Sequence, residues 1–171
     1  PDFPEAYLHL GHMSKGDEAK GYLEKYVELQ GMSISGYLHL ITLYKEDQQY
    51  DNIRTLMQEV LTTQGISEET LFITIHALKS LFEYDKIYGL YNDNAEIKED
   101  PILLGAALNA LSEEEDYIDF VEEEVVTYFQ VLHDDPTYLE TLRNVYDLTG
   151  SERVLDIINH FERHHGPHGH H

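Results

Sequence analysis

The side chains with the most evident chemistry lie at the C-terminal end of the chain, where histidines are concentrated. They are His160, His164, His165, His168, His170 and His171. On a helix, His160 and His164 would share a face and, together with His165, could bind zinc or nickel. A di-iron bundle would need two Glu-x-x-His pairs on facing helices, and the chain has only the pair formed by Glu162 and His165. We expect a flexible His-rich tail, residues 166–171, natural or added, that binds divalent metals adventitiously, and no resident cofactor.

Acidic residues form two runs, residues 113–116 and 122–124. Such runs usually form a solvated helix face, and the sharper interpretation is an electrostatic patch for a basic partner. A calcium-binding loop would need acids alternating around a glycine, and the sequence has no such loop. It also lacks a serine nucleophile elbow, a phosphate-binding glycine loop and a His-Glu-x-x-His motif. We therefore predict a protein without catalytic activity.

The composition restricts the possible partners. The chain has 33 Asp and Glu against 11 Lys and Arg, and its net charge is −22. A surface this acidic would repel nucleic acid and anionic membranes, whereas it favours a basic partner or simply solubility. The sequence shows no apolar run of membrane-spanning length, no recognisable signal peptide and no cysteine. We expect a cytoplasmic protein, and a chain that begins at Pro1 could be a fragment or a processed form.

The elements that would position these side chains follow from an internal repeat. A short polar corner recurs along the chain at steps of 34, 34, 33 and 34 residues. The corners are at Gly16, Tyr50, Tyr84, Tyr117 and Ser151. A near-constant step of this length indicates five helical hairpins, each made of a helix A, a corner and a helix B.

Large apolar residues recur at fixed distances from each corner, with the spacing of one helix face. In the third hairpin they are Leu71, Ile75 and Leu78, which stand thirteen, nine and six residues before the corner. In helix B of the fourth hairpin the apolar face is displaced by one residue. It consists of Val121, Val125, Tyr128, Phe129 and Leu132. We predict an all-α fold of about ten helices, in which residues 1–165 form one domain.

Capping residues mark the ends of these helices. Asp100 and Asp135 each stand before a proline, as an N-cap followed by a residue suited to the first helical position. Ser67 is a further N-cap, and it precedes two acids that favour the positive end of the helix dipole. Gly31 and Gly65 follow helix B of the first two hairpins, where a left-handed C-cap is expected.

The hairpin pattern resembles the tetratricopeptide repeat, whose unit is two antiparallel helices in about 34 residues. The corner from Lys15 to Ala19 is similar to the family's glycine-acid-alanine corner. The resemblance implies a right-handed superhelix (an α-solenoid) whose A helices line a concave groove that binds a peptide or protein segment. Two features depart from the family: large residues such as Ile41 replace a small one nine positions before the corner, and glycines replace its closing proline.

One face of each helix A would line that groove. The predicted lining is Leu38, Thr42, Lys45, Phe72, His76, Lys79, Gly105, Asn109, Ser112, Leu139, Arg143 and Tyr146. Three of the few basic side chains, Lys45, Lys79 and Arg143, fall beside apolar residues in this set, which suits a peptide with apolar anchors and a few acids. The family's carboxylate-clamp members use Lys, Asn and Arg in comparable places, although their order is not reproduced here. In the plainer interpretation, the apolar residues pack between helices and the lysines are solvated.

We therefore predict a non-catalytic protein-interaction scaffold or adaptor. Two alternatives stay open: a metal-buffering protein that acts through the His-rich tail, and an accessory helical domain of a larger protein. Pentatricopeptide repeats, which bind RNA in a basic groove, are the second family that the pattern resembles, and the net charge of −22 argues against them. The final helix B could pair with a second copy, so the oligomeric state is open.

Overall fold

The computed structural model describes residues 4–30 and 33–165, of which Gln30, His164 and His165 are described in the backbone only. This part of the chain contains helices and no strand, which confirms the predicted all-α class. The α-helices are α1 (Pro4–Met13), α2 (Gly16–Gln30), α3 (Ile34–Glu46), α4 (Tyr50–Gln64), α5 (Glu68–Ser80), α6 (Tyr84–Asp93), α7 (Pro101–Leu111), α8 (Ile118–Thr127), α9 (Phe129–Leu132), α10 (Tyr138–Thr149) and α11 (Glu152–His165). Two short 3₁₀ helices span Ala95–Glu99 and Glu115–Tyr117.

The helix pairs follow the predicted hairpins, with one additional break. Helix B of the fourth hairpin ends at Thr127, and after Tyr128 the short α9 begins. Val121, Val125 and Leu132 are buried along this stretch, so the one-residue displacement of its apolar face is confirmed. The break after α8 adds an eleventh helix to the ten that the period predicted within the described part of the chain.

Tertiary contacts divide the chain into two compact units, Pro1–Glu83 and Tyr84–His171. The first unit contains α1 to α5, and the second contains α6 to α11. The division falls at the corner of the third hairpin, between α5 and α6. The single domain over residues 1–165 stays a prediction.

In the first unit α3 is the central helix, because it packs against α2, α4 and α5. Its core includes Leu23 from α2, Leu40 from α3, Ile53 from α4 and Ile73 from α5, each fully buried. These residues occupy the apolar faces of their helices, so burial of those faces holds the unit together. Helix α1 packs on α2.

In the second unit α10 packs against α7, α8 and α11. Leu104, Leu108 and Leu142 are fully buried there, as the columns before the corners predict. Tyr138 is buried as well, and its hydroxyl donates a hydrogen bond of 2.6 Å to the backbone carbonyl of Val125. The apolar columns are less well buried in the first hairpin, where Tyr7 is half-exposed, and Phe3 lies outside the described residues.

Of the five predicted caps, Asp100 and Ser67 are confirmed. The carboxylate of Asp100 accepts hydrogen bonds from two backbone N–H groups of α7, and Ser67 forms a reciprocal capping box with Thr70. Asp135 is not the N-cap that was predicted, because α10 begins only at Tyr138, and its carboxylate instead accepts from Thr137. Gly65 has a positive φ of 74° with an extended ψ of −163°, so it is not left-handed helical. Gly31 lies outside the described residues.

The corners of the second and third hairpins share one backbone conformation. Gln48 and Phe82, which are 34 residues apart, have positive φ angles of 57° and 60°. The N–H groups of the residues that follow, Gln49 and Glu83, donate to carbonyl oxygens five residues earlier at 2.8 and 2.9 Å. This pattern is the six-to-one hydrogen bond of a Schellman C-cap, which ends helix A. These two corners therefore match in backbone conformation as well as in sequence position.

Candidate binding surface

Two helices of the first unit carry the first half of the predicted lining, and they pack side by side. Helix α3 contributes Leu38, Thr42 and Lys45, which are spaced along one of its faces. Leu38 is half-buried, whereas Thr42 and Lys45 are exposed. The ammonium of Lys45 lies over the ring of Phe82, 5.2 Å from its centroid. This cation–π contact joins the end of α3 to the turn that follows α5.

Helix α5 contributes Phe72, His76 and Lys79. Phe72 and His76 are half-buried and meet edge to face, with ring centroids 4.6 Å apart. Burial, and to a smaller extent the nearby Lys79, lowers the pKa of His76 to about 4. The ring is therefore neutral at neutral pH, so it acts here as a polar aromatic group and not as a cation.

Phe82 is a surface residue that the pattern did not predict. Its ring is 57% exposed, although it stands in a turn between two helices. Two residues before the other corners, the chain has Ser14, Gln48, Glu115 and Thr149. A large apolar residue in an otherwise polar column is the signal that could have identified it. With Lys45 and Lys79, Phe82 forms what we term the α3–α5 surface, which also includes Phe72 and His76.

Asn109 on α7 has a structural role in the second unit. It is only 5% exposed, and its side-chain amide donates hydrogen bonds of 3.0 Å to Glu140 and to Thr141 of α10. Ser112, which is also buried, accepts a hydrogen bond from Asn144 at 3.1 Å. These bonds connect α7 to α10, so both side chains contribute to the packing of the second unit.

Arg143 and Tyr146 lie on α10 of the second unit. The Arg143 guanidinium, whose side chain is 54% exposed, donates a 2.9 Å hydrogen bond to the carboxylate of Glu162 on α11. Tyr146 is half-buried. The predicted lining is thus divided between the two units: α3 and α5, which pack on each other, carry it in the first, and α7 and α10 carry it in the second.

The described residues contain no group of three or more His, Asp or Glu side chains placed to hold a metal ion. Helix α11 extends through His165, so His160 and His164 have the helical spacing that was predicted, but the side chains of His164 and His165 lie outside the described residues. The His160 ring lies 6.1 Å from the rings of both Phe129 and Phe161. Metal binding at this end of the chain stays a prediction.

The acidic run of α8 is partly neutralised. The guanidinium of Arg153 lies 3.2 Å from a carboxylate oxygen of Glu122 and 2.8 Å from one of Glu123. These contacts raise the pKa of Arg153 further, chiefly through the hydrogen bond to Glu123. The run is therefore in part a structural ion-pair network between α8 and α11.

Comparison of the chain with family models, curated proteins and solved structures finds no match. Among the described residues, no helix combines the length and the apolar character that crossing a membrane would require.

Proposed function

We propose that this protein is a non-catalytic interaction scaffold in which a right-handed superhelix of tetratricopeptide-like hairpins binds a peptide or protein segment. The superhelix is supported by the 34-residue period and by the side-by-side packing of first helices within each unit, α3 with α5 and α7 with α10. The proposed partner is a protein, since the net charge of −22 disfavours nucleic acid and anionic membranes.

The α3–α5 surface carries the proposal, and the contact between Lys45 and Phe82 is its principal observation. An aromatic ring that is 57% exposed, with an ammonium group over it, offers an apolar anchor site beside a positive charge. Lys79 and the neutral His76, which interact with each other, lie on α5, the helix that Phe82 follows. The peptide that fits this surface has one apolar or aromatic anchor and an acidic residue near it.

The two lysines also have a favourable effect on the fold, which the experiment must separate from binding. Both lie in the last turn of their helices, where a positive charge stabilises the negative end of the helix dipole. A charge reversal at either position is therefore expected to lower stability slightly, by about 0.5 kcal/mol. Stability is to be measured for each variant before its binding is compared.

A display library of random peptides, selected on the wild-type protein, tests the proposal. We expect the enriched peptides to combine an apolar anchor with an acid, and to lose affinity by at least about tenfold for the variant Lys45→Glu/Lys79→Glu. Lys98→Glu is the control, because Lys98 makes the same kind of cation–π contact in the second unit. Its ammonium lies 5.0 Å from the centroid of the Tyr91 ring. Fluorescence polarisation with labelled peptides gives the dissociation constants.

The control variant must leave the affinity within about twofold of wild type. Enrichment of basic peptides, or equal affinity for the wild type and the double lysine variant, would show that the α3–α5 surface is not the binding site. Replacing Phe82 by Ser, with exposed Ile102→Ser as its control, tests the apolar anchor in the same assay.

A further inference from the structure

A second feature of the first unit is an open cavity of about 420 Å³ where α2, α3 and α4 meet. This volume lies in the range of ordinary ligand pockets, about 300–1,000 Å³. Its walls include the aliphatic residues Leu40 and Leu56, both buried, and the aromatic residues Tyr37 and Tyr44. An apolar and aromatic wall of this kind can cover the hydrophobic part of a bound side chain.

The polar groups of this cavity are acidic. Glu24 and Glu28 from α2 and Glu59 from α4 line it, and none of its described lining residues is Lys, Arg or His. Lys25, which is outside the lining, lies 3.6 Å from a carboxylate oxygen of Glu28 and balances one of the three charges. The cavity therefore has an excess of negative charge.

One of the two tyrosines holds an acid of the cavity in place. The Tyr44 hydroxyl donates a hydrogen bond of 2.5 Å to the Glu24 carboxylate, which orients that carboxylate at the cavity. Burial, together with the charge of Glu59, raises the pKa of Tyr37, so its phenol stays protonated and is available as a donor or a stacking surface. The three acids are exposed, and they line the cavity together with the two aromatic rings.

We infer that this cavity binds the guanidinium of an arginine side chain on a basic segment of a protein partner. A guanidinium is planar, pairs with two carboxylates at once and stacks on aromatic rings, so it matches all three features of the site. Its stem would lie along the apolar walls. The occupant is a partner protein because an overall charge of −22 attracts basic segments from a distance and the cavity gives them a place to dock.

This site is separate from the α3–α5 surface. On α3, Tyr37, Leu40 and Tyr44 occupy a different face from Thr42 and Lys45, as the helical spacing requires. The two sites also require opposite charges in the peptide. Failure of one in a binding experiment therefore leaves the other untouched.

The test uses the full chain and a synthetic arginine-containing peptide with blocked ends, measured by isothermal titration calorimetry at about 150 mM salt, where long-range attraction is screened. A second peptide carries citrulline, the neutral isostere, in place of each arginine. The cavity variant is Glu28→Gln/Glu59→Gln. Its control, Glu96→Gln/Glu99→Gln, removes the same charge from exposed positions in the second unit.

We expect the arginine peptide to bind the wild type, the cavity variant to weaken binding roughly tenfold, and the control to change it by less than about twofold. The citrulline peptide should show no measurable binding. Equal weakening by both variants would reveal general charge attraction and overturn the assignment, as would absence of binding at about 1 mM peptide. Argininamide serves as the small-molecule probe. If it binds as tightly as the peptide, the occupant is a small cation and not a protein segment, which would overturn the proposal. Circular dichroism of both variants checks that the fold is retained.

Discussion

Replacement of Gly105 by alanine tests the packing of α7 against the segment that leads into α10. Gly105 is buried in α7, and a Cβ built on it would overlap the carboxyl group of Asp135. That carboxylate is itself held in place, since it accepts hydrogen bonds from the Thr137 hydroxyl at 2.8 Å and from the Thr137 N–H at 3.2 Å. The added methyl group can fit only if Asp135 moves away from Thr137.

The expected change in the free energy of unfolding follows from two opposing effects. Overpacking of a close contact typically costs about 1–3 kcal/mol, and weakening of the hydrogen bonds to a buried carboxylate adds about 1–2 kcal/mol. Against this, alanine in place of glycine inside a helix gains about 1 kcal/mol. The steric effect is larger, so we expect Gly105→Ala to lower the free energy of unfolding by about 2 kcal/mol.

Gly89 supplies the control in the same unit. It also lies in a helix, α6, but a Cβ built there has no neighbour within 4 Å. Gly89→Ala should therefore raise the free energy of unfolding by about 0.5–1 kcal/mol, through the helix gain alone. Urea denaturation followed by circular dichroism measures both variants.

A double substitution isolates the contact. In the background Asp135→Ala the overlap is gone, so Gly105→Ala should become stabilising, and the coupling between the two sites should amount to about 1–3 kcal/mol. If Gly105→Ala stabilises the wild-type protein as much as Gly89→Ala does, the contact between α7 and Asp135 is absent and the reasoning fails.

Three further predictions concern a half-buried histidine, a helix cap and an ion pair. Burial, with a smaller effect of Lys79, lowers the pKa of His76 to about 4, so the folded protein favours the neutral ring. The contribution of His76 to the free energy of unfolding is therefore fully present above about pH 6.5. As the pH decreases towards 4, the free energy of unfolding falls by up to about 3 kcal/mol. His76→Phe should make the free energy of unfolding less dependent on pH in this range, as measured by urea titrations at several pH values. An unchanged dependence on pH would contradict the lowered pKa of His76. Asp100→Ala removes the acceptor for two N–H groups of α7 and should lower the free energy of unfolding by about 1 kcal/mol. Asp100→Asn should retain most of the stabilisation that the cap provides. Arg143→Ala breaks an exposed pair with Glu162, and denaturation should detect a change of no more than about 1 kcal/mol.

The period and the apolar columns were sufficient to predict where the hairpins lie. A column such as Ile41, Ile75, Leu108 and Leu142 can be recognised without a structure because burial of one helix face requires the same residue types at each turn. Caps such as Asp100 and Ser67 are local for the same reason, since they contact backbone groups within three residues. The prediction that Asp135 is an N-cap was wrong because an Asp-Pro pair also suits a turn. The carboxylate of Asp135 accepts a hydrogen bond from the Thr137 hydroxyl instead.

Which residues of the predicted lining are committed to contacts between helices could not be predicted. Asn109 and His76 stand at the same position in successive A helices, 33 residues apart, yet Asn109 is committed to hydrogen bonds with α10 whereas His76 packs on Phe72 within its own helix. Which side chains of a helix face are covered depends on the neighbour that packs there. That neighbour is distant in sequence, and its side chains set the outcome.

The helices and their order follow from residue type and spacing alone, because the near-constant step, the apolar columns and the polar corners are local properties of the chain. The position of Lys20, in contrast, depends on how the helices pack. A lysine on a polar helix would be expected in solvent, yet it is 5% exposed, with its ammonium 2.8 Å from carboxylates of both Asp17 and Asp47 and 3.1 Å from the amide oxygen of Gln49. Asp47 and Gln49 belong to the next corner, so this contact exists only once α2 has packed beside it. The α3–α5 surface and the acidic cavity arise in the same way, because each is assembled from helices that meet only in the folded unit.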